Sequence, residues 1–265
     1  MLDPGRGRTK KRYFWALARD DRPWQGGTPP AVIYSYAPGR GGKHAAALLA
    51  GYSGVLQTDA YGAYRALADP KRPGGPVTLA FCWAHWRRQW VDIARSPPAP
   101  IASEALTRIA EFYRIETEIR GKSADERRAV RQQKTRPLVA ALKTWIEQIL
   151  AQVPTASSIA ETIRYGLNQW HGLVRFLDDG HIEIDSNTVE RSMRPVALTR
   201  KIALFAGSDE GAENWAMLAS LIETCKLHGV NPEAYFTDVL TRLVNNWPNR
   251  RLAELLPWAW TADQH

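Results

Sequence analysis

The sequence predicts an α/β fold whose strands crowd the first third of the chain and whose remainder is helical. Three observations carry this expectation. Short apolar runs bounded by Gly- and Pro-rich turns occupy the segment up to His85. From Ser103 onward apolar residues recur three and four apart, the spacing of amphipathic helices. Between them, Asp59 stands where an apolar strand gives way to a Tyr-Gly turn, the place from which α/β sheets present chemical groups.

Taken in order, RYFWALARDD and AVIYSYAP read as strands joined by the DRPWQGGTPP loop, most simply a hairpin. KHAAALLAGY, from Lys43, has helical density and ends at Gly51. SGVLQTDAYGAY reads as a strand with Asp59 at its carboxyl end, and VTLAFCWAHW as a second buried strand that puts His85 at its end, with RRQWVDIAR starting a helix. EALTRIAEFYRIETEIR and ERRAVRQQKTRPLVAALKTWIEQILAQV are expected to be long helices with solvated charged faces. SSIAETIRYGLNQWHGLVRFL reads as one further helix up to the DDG turn. HIEIDSN follows as an extended segment, and NTVERSMRP starts the next helix. WAMLASLIETCKLHG and NPEAYFTDVLTRLV complete a helical tail around the basic stretch RKIALFAGSDEG.

Composition narrows the function. With 45% hydrophobic and 23% charged residues, the 265-residue chain can bury a substantial core, which argues against a disordered protein. Lys and Arg number 35 against 27 acids, a net charge of +8 that favours a polyanionic partner, nucleic acid first. The two cysteines, Cys82 and Cys225, offer no disulfide framework. With no apolar signal core behind Met1 and no run of about 18 apolar residues, no membrane partner is expected and the cytoplasm is the expected compartment.

The candidate chemical groups are two carboxylates and what flanks them. Asp59 reads either as a catalytic carboxylate or as an ordinary turn residue. Glu190 occupies the third position of a helix that Asn187 would cap, so a capping box and an outward-pointing catalytic acid are both open. Cys82 and His85 form one Cys-x-x-His pair without a second ligand pair of suitable spacing, so a closed zinc site is not expected. His85 would organise the site, contact a phosphate, or sit satisfied in the core. Arg87, Arg88, Arg191, Arg194, Arg200 and Lys201 flank the carboxylates, as holding a phosphate backbone requires. No nucleotide-binding Gly-x-x-x-x-Gly-Lys loop and no Gly-x-Ser-x-Gly elbow occurs.

LQTDAYGAY, FCWAHWRR, the long stretch from IEIDSNTVERSMRP to NPEAYFTDVL, and LAELLPW resemble, in this order, the insertion-sequence-66 (IS66) family of transposases. The resemblance implies an RNase H-like fold with a large helical insertion and a helical C-terminal tail. Residues 1–102 and 181–229 would form the RNase H-like domain, 103–180 the insertion and 230–265 the tail. It further implies strand cleavage and transfer on DNA, at element ends and target, with two divalent ions, Mg2+ or Mn2+, held by three acids. Asp59 matches the second acid and Glu190 the third. Cys82 and His85 match a Cys-x-x-His feature that follows the second acid in related transposases. A homo-oligomer is implied for the full-length form. The family's first acid precedes the segment matching LDPGRGRTKKRYFW, so that acid and its strand are expected to be missing, and the chain is expected to be a truncated, catalytically incomplete transposase or a DNA-binding remnant. Asp20 and Asp21 are the nearby candidates to replace that acid, against an ordinary turn role.

Overall fold

A computed structural model describes residues 2–3, 8–203 and 207–261. The chain is mixed α/β, mostly helical, with small sheets. In chain order it runs β1 (Leu2–Asp3), β2 (Arg8–Thr9), β3 (Tyr13–Arg19), β4 (Ala31–Ala37), α1 (Gly42–Leu48), β5 (Gly54–Thr58) and β6 (Val77–Phe81). Helices follow: α2 (Trp83–Ala94), α3 (Pro100–Ile119), α4 (Ala124–Val130), α5 (Arg136–Gln152), α6 (Ser158–Asn168) and α7 (Trp170–Leu173). The last are α8 (Asn187–Ala203), α9 (Asp209–Leu227) and α10 (Pro232–Val244). They form two compact units, one of Met1–Asp21, Gly27–Arg40 and Thr188–His265, the other of Arg22–Gly26 and Gly41–Asn187.

In the first unit β3 and β4 pair antiparallel from Tyr13↔Ala37 to Arg19↔Ala31, the hairpin expected from two apolar runs joined by a Pro- and Gly-rich loop. One face buries Val32 and Tyr34 beside Phe14, Ala16 and Ala18, packed against Ala216 and Trp215 of α9 and Met193 and Val196 of α8. The outer edge of β4 meets α9 rather than another strand. Thr224 Oγ1 accepts from Val32 N–H and donates to Val32 C=O, both at 3.2 Å, and Ser220 Oγ accepts from Tyr34 N–H at 2.8 Å. Hydroxyls one helical turn apart thus satisfy backbone groups that an open edge would leave to a foreign strand. A second cluster joins Cys225 of α9 to Tyr235 and Val239 of α10 and to Leu255.

In the second unit β5 and β6 pair parallel, Gly54↔Val77 through Thr58↔Phe81. The run VTLAFCWAHW is not one strand. β6 ends at Phe81, Cys82 is the N-cap residue and α2 begins at Trp83, which places His85 on a helix's first turn rather than at a strand's end. Trp83, Trp86 and Trp90 are spaced three and four apart, so helical geometry buries all three on one face.

The segment read as a single helix from Ser157 breaks at Gln169 into α6, α7 and a 3-10 turn, Arg175–Leu177, with Ser157 as the N-cap of α6. The chain there packs so closely on β6 that a Cβ at Gly172 would lie 2.2 Å from the Phe81 ring. Between α4 and α5, Arg131–Thr135 forms a turn of π-helix, and Arg127 and Arg131 are 1% and 0% exposed. The charged faces of these helices are therefore not wholly solvated. Burial inside an apolar unit demands partners for both guanidiniums, and the loop after α7 provides them.

Candidate active site at the ends of a parallel strand pair

Asp59 follows Thr58, the last residue of β5, and Cys82 follows Phe81, the last residue of β6. Cys82 N–H donates to Thr58 C=O at 3.0 Å, so the two strands end side by side. Asp59 is exposed there. Its Oδ1 accepts the Tyr61 N–H at 3.0 Å across Ala60, whose φ of 64° is left-handed, a conformation costly for a residue with a Cβ. Tyr165 of α6 donates its hydroxyl to the Asp59 carbonyl at 3.3 Å. Burial raises the Tyr64 hydroxyl to about 12, with the Asp59 charge adding to it, and Tyr165 is raised by the same two causes in the same order. Both phenols therefore stay protonated near neutral pH.

Cys82 is buried at 2% exposure, and its Sγ accepts the Ser186 N–H at 3.2 Å. His85 is half-buried, while Arg87 and Arg88 are exposed on α2. Beside the strand ends runs a strap, Glu183 to Ser186. Gln57 Nε2 donates to Glu183 C=O at 2.6 Å, and Trp83 N–H to Ile184 C=O at 3.1 Å. The strap carries Asp185, whose Oδ1 accepts the Asn187 N–H at 3.1 Å and whose Oδ2 accepts from Asn187 Nδ2 at 2.6 Å. Tyr113 of α3 is raised well above the ordinary phenol value, chiefly by burial, then by the charges of Asp185 and Cys82, with Arg87 opposing.

The buried arginines hold the strap's approach. Arg131 Nη1 donates to the carbonyls of Phe176, Asp179 and Ile182 at 2.8, 3.1 and 2.9 Å. Its other nitrogens grip both oxygens of Glu116 at 2.8 and 2.6 Å. Arg127 donates to Gly180 C=O at 2.8 Å and pairs with Glu183. Burial pulls the Arg127 guanidinium below its ordinary value, Glu183 raises it, Arg131 lowers it and Glu116 raises it.

In the other unit Glu190 is half-buried on α8, and Arg191 and Arg194 are exposed. Arg200 and Lys201 fall on the end of α8 with side chains outside the described residues. Pro195 interrupts this helix's donors, and one turn earlier the buried Tyr34 donates its hydroxyl to Ser192 C=O. Of the nearby acids considered as replacements, Asp21 is buried and paired with Arg19 at 2.9 Å.

The structure thus gathers Asp59, Cys82, His85, Arg87 and Arg88 within one unit, and carries Glu190, Arg191 and Arg194 on a helix of the other. The sequence reading missed Asp185, Tyr113 and Tyr165. Asp185 was visible in IEIDSN as an acid two residues before a helix start, and nothing in the helical pattern singled out the two tyrosines.

Residues 1–214 match the model of the transposase IS66 family, and residues 220–258 match the IS66 C-terminal element. The uncharacterized protein y4jD of Sinorhizobium fredii is 48% identical over 99% of this chain and 52% of its own length. The uncharacterized protein y4qI of the same organism is 44% identical over 99% of this chain and 49% of its own. The chain therefore spans about half the length of the curated relatives it matches. No solved structure matches it.

Proposed function

Because the chain belongs to the IS66 transposase family, we propose that it carries part of a DDE-type DNA strand-cleavage and strand-transfer site, with Asp59 and Glu190 as two of the metal-holding acids. The observation that supports this most is the place of Asp59, exposed at the carboxyl ends of parallel β5 and β6 within the family-matching region. An RNase H-like arrangement of the strands belongs to the same proposal.

The donors fit hard divalent ions. Asp59 and Glu190 offer carboxylate oxygens, which suit Mg2+ or Mn2+, whereas the buried Cys82 thiol is engaged by Ser186 N–H. Such ions supply activation of an attacking hydroxyl and neutralisation of charge at a phosphodiester. The chain's own residues do the rest. Arg87 and Arg88, and on α8 Arg191 and Arg194, would hold DNA phosphates by charge-assisted hydrogen bonds. His85, at the first turn of α2, would contact a phosphate or orient its neighbours. The Asx turn at Asp59 fixes one carboxylate oxygen against the backbone and so aims the group.

A second reading, DNA binding without chemistry, is favoured by the +8 charge and by arginines whose exposure does not depend on the acids. Both readings require DNA binding dominated by phosphate contacts. Titration of a DNA duplex over a salt series should show affinity falling linearly on logarithmic axes, with the slope reduced by about 1 in Arg87→Ala. Absence of salt-sensitive binding would contradict both readings.

A further inference from the structure

An aromatic surface lies against Asp59 that the chemistry above does not use. Tyr61 is 37% exposed, starts the 3-10 helix Gly62–Ala68, and packs edge to face against Tyr64 with ring centroids 6.3 Å apart. Its own N–H is the donor held by Asp59 Oδ1, so ring and carboxylate share one turn.

The turn beneath it is fixed from several sides. Leu67 is fully buried, Tyr64 N–H donates to Tyr61 C=O at 3.1 Å, and α1 approaches so closely that a Cβ on Gly42 would stand 3.0 Å from the Ala63 carbonyl oxygen. Tyr165 bonds the Asp59 carbonyl from α6. An exposed aromatic ring on a rigid turn loses little conformational entropy when something stacks on it.

We propose that Tyr61, backed by Tyr64, is a stacking platform for an unpaired nucleobase next to the phosphate addressed by Asp59. This rests on the reading of the chain as acting on DNA. The chemistry selects a base over other apolar partners, because whatever covers Tyr61 must also tolerate a carboxylate one turn away. A nucleotide does so where a divalent cation, as the proposed function requires, would stand between its phosphate and the carboxylate, leaving its flat ring to stack. Stacking tolerates any base, so the contact favours distorted or frayed DNA without reading sequence.

The experiment compares two duplexes of one sequence, one fully paired and one with a single unpaired 2-aminopurine, binding to the whole chain at low salt. The wild type is expected to bind the duplex with the unpaired base more tightly and to quench its fluorescence. Tyr61→Ala should lose that preference by on the order of tenfold together with the quenching, and Tyr61→Trp should keep both. Tyr61→Ala retaining preference and quenching, or a wild type that binds both duplexes equally, would overturn the platform alone. A wild type that binds neither duplex would overturn the DNA reading and the platform with it.

Discussion

The two larger sheets, each of two strands, treat their surroundings in different ways. The β3–β4 hairpin has its edge closed by Ser220 and Thr224 of α9, whose hydroxyls take up the outward backbone groups of Val32 and Tyr34. The β5–β6 pair is flanked instead by the Glu183–Ser186 strap, which leads from a loop gripped by buried arginines, and it leaves Asp59 exposed at its carboxyl end. The hydroxyl contacts of Ser220 and Thr224 serve to hold the hairpin in the fold. In the parallel pair, structural charge is buried and paired at Arg127 and Arg131, while the carboxylate proposed for chemistry, Asp59, is exposed two residues after Gln57, which bonds the strap. Burial with an ion-pair partner marks the structural charges here more clearly than residue type does.

The largest expected effect breaks the parallel pair's support. Arg131→Met leaves the half-buried Glu116 carboxylate with only the longer Arg127 pair at 3.6 Å and orphans the carbonyls of Phe176, Asp179 and Ile182, and should cost about 3–5 kcal/mol in urea unfolding. The hairpin's edge should be less sensitive, because the hydroxyl contacts that close it are neutral. Thr224→Val keeps the volume but leaves Val32 N–H and C=O without their side-chain partner, an expected loss of about 2 kcal/mol by the same measurement.

The smallest effect sharpens the comparison at the exposed start of α4, where Ser123 and Glu126 form a reciprocal capping box. Ser123→Ala should cost about 1 kcal/mol at neutral pH. Hydrogen bonds from the Ser123 side chain and backbone hold the Glu126 carboxyl below its ordinary value. A carboxylate depressed in the folded state contributes stability above its unfolded value and loses it as pH falls through the folded one. The difference between wild type and Ser123→Ala should therefore shrink below about pH 4, read from unfolding midpoints across pH.

Much of the fold was legible from residues alone. Two apolar runs, RYFWALARDD and AVIYSYAP, around a Pro- and Gly-rich loop located the hairpin, and the switch from apolar strand to Asp-Ala-Tyr-Gly located Asp59 at a strand end. The start of α2 was not legible as read, because a continuous apolar run suits a buried strand and a buried helix equally. The spacing of Trp83, Trp86 and Trp90 held the answer. Arg127 and Arg131 were misread because periodicity reports which face of a helix is apolar, not whether a later loop will cover a charge. That cover comes from carbonyls 45 to 53 residues away along the chain. Asp185 escaped for a related reason: its strap is held by side chains and isolated backbone bonds rather than by a strand ladder, so no strand pattern marked it.

Divalent-ion binding tests the central claim, that Asp59 is a working carboxylate and not a turn residue, most directly. Asparagine can keep the turn by accepting the Tyr61 N–H through its own side-chain oxygen, so Asp59→Asn isolates the charge from the fold. In a Mn2+ titration followed by electron paramagnetic resonance, the account predicts that the wild type binds the ion. Asp59→Asn should weaken that binding by roughly tenfold or more, about 1.4 kcal/mol, with thermal stability and salt-sensitive DNA binding retained. Identical Mn2+ isotherms for wild type and Asp59→Asn would contradict it and leave Asp59 as the residue that shapes a turn.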